Sequence, residues 1–310
     1  MTISSSLPNT VYLAHISDIH ITASKLEWQL RDWFSKRVTG WGNWRWFGRK
    51  KRFHLADEVL TLLMAEIRQR RPDHLVFSGD ASALGFESEF IKAAQLLGVG
   101  DPDMVPGLAV PGNHDYYTPW SAAFGYFEKH FAPWQQGERI DAEIYPFAQR
   151  VGHVWLVGIN SCTGNRWPWD AAGSVGQPQL DRLRELLRRL PPGLRFLVTH
   201  YPVRLEDGRP EERIRHLRDL GRVLAVAEQG GVCLWLHGHR HHGYHLLDPR
   251  WAPFPVICAG SATQRGVWSY NEYRITDGQL SILRRTYVPE QGGFQDSDTL
   301  ELRLPAGSLP

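Results

Sequence analysis

Five short segments of the chain carry side chains able to hold a metal ion. "SDIH" supplies Asp18 and His20, "SGDA" supplies Asp80, and "GNHDYY" supplies Asn113, His114 and Asp115. "VTHYP" adds His200, and "HGHRHHGYH" adds His239 and His241 within a stretch, 237–245, that holds five of the fourteen histidines. Carboxylate and imidazole together form a ligand set for Zn, Mn or Fe. A carboxylate such as Asp80 can bridge two ions, and ions roughly 3.5–4 Å apart clamp the attacking and leaving oxygens of an in-line displacement. Such ions also lower the pKa of a bound water from near 16 to about 7. On extended backbone, Asp-x-His and His-x-His point both side chains the same way, so the two ligands of one segment can share a metal.

These residues follow apolar runs that read as strands: 11–17, 74–78, 107–110, 154–160, 195–200 and 232–236, with further strands at 254–260, 268–276 and 280–288. Between them lie amphipathic stretches. Leu55, Val59, Leu62, Leu63 and Ile67 mark a helix that must stop before Pro72. Residues 87–97, 177–190 and 211–229 also read as helices. Alternation of strand and helix predicts α/β layering, and ligands in open α/β sheets bind at the carboxyl ends of strands. No linker divides the chain, so residues 1–310 are read as one domain, with 290–310 as a loosely packed tail.

Composition excludes several classes. A formal net charge of +2 gives no general reason to bind nucleic acid. Three cysteines without close spacing make neither a disulfide framework nor a cysteine zinc site, and they suit a reducing compartment. The start has no basic and apolar leader pattern, and no run reaches about 18 apolar residues. A cytoplasmic location is expected.

In this order, D-x-H, G-D, G-N-H-D, a lone His and G-H-x-H resemble the calcineurin-like metallophosphoesterase family over residues 11–286. The resemblance implies a four-layer α-β-β-α sandwich and two divalent ions (Mn, Fe or Zn). It implies Asp18, His20 and His241 on one metal, Asn113, His200 and His239 on the other, and Asp80 between them. A hydroxide shared by the two ions would attack phosphorus. His114 would contact the phosphoryl oxygen or protonate the leaving group, and Asp115 would orient His114 through a ring nitrogen. One departure is "ASALG" after Asp80, where many relatives carry a further Asp or Asn. His237 reads as a packing residue, His242 as surface, His245 as a strand residue and His15 as structural. Arg265 is a candidate phosphate contact.

Residues 24–53 are an insertion. Leu26, Leu30, Trp33, Phe34 and Val38 predict an amphipathic helix ending before Gly40, followed by Trp41, Trp44, Trp46, Phe47 and "RKKR". Nine Lys/Arg against Glu27 and Asp32 lie between residues 25 and 53. Aromatics with basic residues suggest an interfacial element, and the competing reading is a cap whose tryptophans pack on the core. The first reading gives peripheral contact with the inner membrane face through 25–53, and a lipid-linked or sugar-nucleotide substrate. It is similar in kind to the UDP-2,3-diacylglucosamine hydrolases of lipid A synthesis. The alternatives are a soluble cyclic-nucleotide or glycerophosphodiester phosphodiesterase, a nuclease, and a non-catalytic scaffold as in the retromer coat.

Overall fold

The computed structural model of the chain describes residues 10–46 and 48–304; Phe47 and the outermost part of the expected tail lie outside them. In chain order come β1 (Val11–Ile16), α1 (Lys36–Trp46), α2 (Arg49–Arg52), α3 (Ala56–Arg70), β2 (His74–Phe77), α4 (Glu87–Leu97) and β3 (Gly107–Ala109). Then follow α5 (Pro119–Phe124), α6 (Tyr126–Phe131), β4 (Phe147–Val151), β5 (Val154–Gly158), α7 (Gln177–Arg189), β6 (Leu194–Val198), α8 (Leu220–Gln229) and β7 (Val232–His237). The chain finishes with β8 (Tyr244–Leu246), β9 (Val256–Cys258), β10 (Ser269–Thr276), β11 (Gln279–Val288) and β12 (Gly293–Arg303).

Two mixed six-stranded sheets result, in the orders β12-β11-β10-β1-β2-β3 and β4-β5-β6-β7-β9-β8. Their apolar faces meet through Leu13, Val76 and Leu108 from one sheet and Phe196, Leu234 and Ile257 from the other. The outer face of the first sheet is covered by α3, α4 and α6, through residues such as Leu63, Phe90 and Phe127. The outer face of the second is covered by α7 and α8, through Leu183, Leu187 and Val223. This is the four-layer α-β-β-α sandwich. Within it β1, β2 and β3 run parallel, as do β5, β6, β7 and β9. Their carboxyl ends therefore open on one crevice.

The helix α3 shows why the periodicity was readable. Val59, Leu60, Leu63, Met64 and Ile67 are buried, and Arg71 closes the helix in the left-handed region (φ 50°) ahead of Pro72. Three expectations need correction. The tail is not loose: Gly293–Arg303 is an edge strand against β11, and Phe294 at its start is buried. The helix expected over 211–229 begins only at Leu220, because Asp219 is buried and accepts from the Val175 and Gly176 amides at 3.0 and 2.8 Å. The helix expected to end before Gly40 instead begins at Lys36. Residues Leu30–Phe34 form a 3-10 turn. Asp32 anchors that turn by accepting from the Gln29 amide, Arg37 and Trp120 Nε1 at 2.8, 2.8 and 3.0 Å. Ser35 is extended (φ −129°) and its Oγ accepts from the Arg37 amide at 3.1 Å, capping α1. No helix among the described residues is long and apolar enough to cross a membrane.

Candidate metal centre

Five of the residues expected to ligate a metal leave their strands in left-handed backbone: Asp18 (φ 53°), His20 (43°), Asp80 (58°), His239 (71°) and His241 (59°). Among the described residues only Arg71 and Asp277 share that conformation without being glycine. Left-handed backbone costs a non-glycine residue about 1–2 kcal/mol, and such outliers gather where the surrounding structure serves a site. The extended geometry expected for Asp-x-His and His-x-His is thus replaced by turns, which gather both side chains of each pair by a different route. Gly79 (φ 104°) starts the turn after β2, and a Cβ there would overlap the backbone of Gly112.

The turns bring seven side chains together. His20 Nε2 and His241 Nε2 face each other at 3.0 Å, and Asp18 Oδ1 stands 3.9 and 3.3 Å from them. Asp80 Oδ2 is 3.5 Å from His20 Nε2 and 3.4 Å from His200 Nε2, between the two groups. Asn113 Oδ1 lies 3.1 Å from His200 Nε2 and 2.9 Å from His239 Nδ1. Asp18, His20, Asp80 and His241 alone place four ligand atoms within 4.8 Å of one another. Asp18 Oδ1 is buried with no hydrogen-bond partner. An orphaned carboxylate oxygen facing two imidazole nitrogens fits a cation, because the alternative is an uncompensated buried charge.

Backbone and side-chain acceptors set the far sides of the rings. His200 Nδ1 lies 2.8 Å from Ser78 O, His20 Nδ1 3.4 Å from Ser82 O, and His241 Nδ1 2.5 Å from Gln264 Oε1. Burial pushes the Asp18 carboxyl up, but His241, 3.3 Å away, and the charge of His200 outweigh it and hold it at about 2. Burial lowers His200, yet Asp80 overrides this and raises it to about 9. Burial beside His200 keeps His239 well below the ordinary value.

Asp115 faces backbone amides of two turns. His114 Nδ1 bonds Ala83 O at 2.8 Å. The buried Asp115 carboxylate accepts from the amides of Ala81, Ser82 and Gly112 at 3.2, 2.9 and 2.8 Å, and from Ser82 Oγ at 3.1 Å. It ties the turn after β2 to the turn after β3. His114 packs its ring edge-on against His20 (4.7 Å) and stacks on Tyr117 (5.2 Å).

His237 is fully buried with Nδ1 2.8 Å from Gly238 O, and His15 is buried between Tyr273 and Ser78. His242 is exposed, but it lines the site cavity. The backbone between β7 and β8 is not extended, so strand alternation does not govern where it points. His245 lies in β8. Arg265 lines a neighbouring pocket with Trp44 and His54 rather than the site.

The cavity over the ligands holds about 800 Å³. Sequence reasoning missed part of its wall. Lys36 is turned inward rather than being a surface charge. Trp169 and Asp170 come from a loop, 166–171, that gave no strand or helix signal. Arg240 pairs at 3.0 Å with Glu211, which is buried.

A family model for calcineurin-like phosphoesterases matches residues 11–243. The chain belongs to that family, and it is a metal-dependent phosphoesterase. Among solved structures it is similar to a dimetal phosphatase from Danio rerio (13% identity, TM-score 0.65, covering 96% of this chain and 100% of that one). It is also similar to PhoD (10%, 0.59, 97% and 71%) and to a purple acid phosphatase from yellow lupin seeds (11%, 0.58, 96% and 54%). These similarities describe the fold. No curated protein matches the sequence.

Proposed function

We propose that the chain hydrolyses a phosphodiester or pyrophosphate bond in a substrate that carries a lipid part beside its phosphate. Asp18, His20 and His241 would hold one divalent ion and Asn113, His200 and His239 a second, with Asp80 shared. Such ions supply an activated water and neutralise charge on the phosphoryl group. The protein's own contribution is positional. Asp115 holds the two turns in register, and Ser78 and Gln264 fix the rings of His200 and His241. His114, with the Ala83 carbonyl as acceptor at Nδ1, keeps a proton on that nitrogen. Its other ring nitrogen then donates only in the imidazolium form, the form that a donor to the phosphoryl oxygen or leaving group needs.

The observation that carries the lipid reading is exposure of large apolar groups on the insertion. Leu30, Trp33, Phe34 and Trp46 are 58–87% exposed, while Lys36, Thr39, Gly40 and Asn43 of the same segment line the cavity. Exposed apolar side chains on a segment that also lines the cavity suit an acyl chain or the surface of a bilayer. Trp28, Trp41 and Trp44 favour the second reading, a soluble phosphodiesterase with a packed cap. Trp28 lies 5.2 Å from Phe86, Trp44 stacks on Phe53 at 6.3 Å, and Trp41 packs beside Trp28.

The test is hydrolysis of UDP-2,3-diacylglucosamine in detergent micelles by the metal-loaded protein. Bis-p-nitrophenyl phosphate and p-nitrophenyl phosphate run beside it, with Asp80→Ala as the blank. Release of UMP well above the rate on the generic diester upholds the lipid reading. Cleavage of the diester alone gives the soluble phosphodiesterase.

A further inference from the structure

The helix α1 presents Lys36, Gly40 and Asn43 at i, i+4 and i+7, the spacing of one helical face, and all three line the cavity. Gly40 sets how close that face comes, because a Cβ there would overlap the Tyr117 hydroxyl and Leu84. Two adjacent cations are buried at the start of this helix, Lys36 at 5% and Arg37 at 4% exposure. Their surroundings differ. Arg37 is satisfied by protein: it pairs with Asp32, and donates to the carbonyls of Leu84 and Gly85. Lys36 Nζ has one long contact, 3.5 Å to Asp170 O, and lies 4.6 Å from the centre of the Tyr117 ring. No carboxylate stands within ion-pair distance of it among the described residues. Asp170, the nearest candidate, is engaged by Arg218 at 2.7 Å.

A buried ammonium carries three donors, and burying one without an anion is unfavourable. Burial accordingly pushes Lys36 down to about 8, against the pull of Asp170 and Asp80. An anion entering the cavity would supply the missing partner. The Tyr117 ring touches both His114 and Lys36, so the ammonium sits beside the expected reaction centre.

We propose that Lys36 binds a second phosphate of the substrate, the one that departs, and so favours pyrophosphate-type substrates over simple diesters. This rests on the phosphoesterase reading. Water oxygen forms the new bond to the attacked phosphorus. The bond from that phosphorus to the bridging oxygen breaks, and the departing phosphate keeps the electron pair. The two water protons pass to buffer. Lys36 keeps its proton and offsets the charge gained by the departing group.

Calorimetric binding of UMP and of UDP, the latter with a methylene in place of its bridging oxygen so that it cannot be cleaved, to the manganese-loaded full chain tests this without turnover, since the two differ by one phosphate. The wild type is expected to bind UDP at least tenfold more tightly than UMP. Lys36→Met is expected to abolish that gap, and Lys36→Arg to keep most of it, with thermal melts verifying that each variant folds. An unchanged gap in Lys36→Met, or no gap in the wild type, overturns the proposal. Bis-p-nitrophenyl phosphate hydrolysis by the wild type is measured separately. Its absence, together with no UMP released from UDP-2,3-diacylglucosamine, would sink the phosphoesterase reading whatever the binding gap shows.

Discussion

Asp115→Asn separates two accounts of one residue. On each side of the carboxylate two donors converge: Ala81 N and Gly112 N on Oδ2, Ser82 N and Ser82 Oγ on Oδ1. An asparagine NH₂ must replace one oxygen. On the Oδ2 side it would face two amides, neither able to accept. On the Oδ1 side the Ser82 hydroxyl can turn to accept, leaving one orphaned amide, so the substitution settles there. An unsatisfied buried donor costs about 1–3 kcal/mol, and weakening the remaining charge-assisted bonds adds about 1 kcal/mol. The expected loss is about 2–4 kcal/mol, read by denaturant unfolding of the metal-free protein. Metal affinity should fall too, because the freed turns carry Asp80 and Asn113. If stability and metal affinity are unchanged while activity collapses, Asp115 acts through His114 and the present assignment is wrong.

Three other outcomes follow. Gly40→Ala gains about 1 kcal/mol of helix preference but overpacks against Tyr117 and Leu84 at about 1–3 kcal/mol; a net loss of about 1 kcal/mol with weaker UDP binding is expected, and a stabilised, fully active variant would contradict it. His74 is buried and held at about 4, burial outweighing its Gln149 bond. Its folded value is below the unfolded 6.5, so stability is complete above pH 6.5 and lost as pH falls toward 4. At pH 5.5 it should cost about 1.4 kcal/mol, and His74→Gln should unfold with that much less acid sensitivity between pH 8 and 5.5; equal sensitivity refutes this. Replacing Leu30, Trp33, Phe34 and Trp46 together by Ser should abolish sedimentation with anionic phospholipid vesicles while leaving bis-p-nitrophenyl phosphate turnover within about threefold. Undiminished binding would mean that these side chains do not make the surface contact.

Much of this was legible in the sequence because the candidate ligands follow strands. Apolar runs ending in Asp, His or Asn mark carboxyl ends, and the layered fold aligns those ends whatever the loops do. Backbone conformation was not legible, since nothing in "SDIH" announces left-handed Asp18 and His20; tertiary bonds such as Asp18 N to Gly79 O at 2.9 Å impose it. The insertion misled for a related reason. Leu30, Trp33 and Phe34 repeat like a core stripe, but Asp32 and Ser35 break the helix and leave them exposed. The signal for α1 was present in Ser35 as a cap and in the Lys36, Gly40, Asn43 spacing. The strand β12 hid behind "QDSD", although Leu300 and Leu302 alternate with polar residues as an edge strand should.

The proposed centre is a pair of metal ions held by seven side chains. Metal content per chain by mass spectrometry, after manganese reconstitution and gel filtration, reads it directly for wild type and Asp80→Ala. Two ions per wild-type chain and fewer than one in the variant, with bis-p-nitrophenyl phosphate turnover rising as the second ion binds, is the expected result. A single ion sufficing for full turnover, or equal content in both proteins, would contradict it.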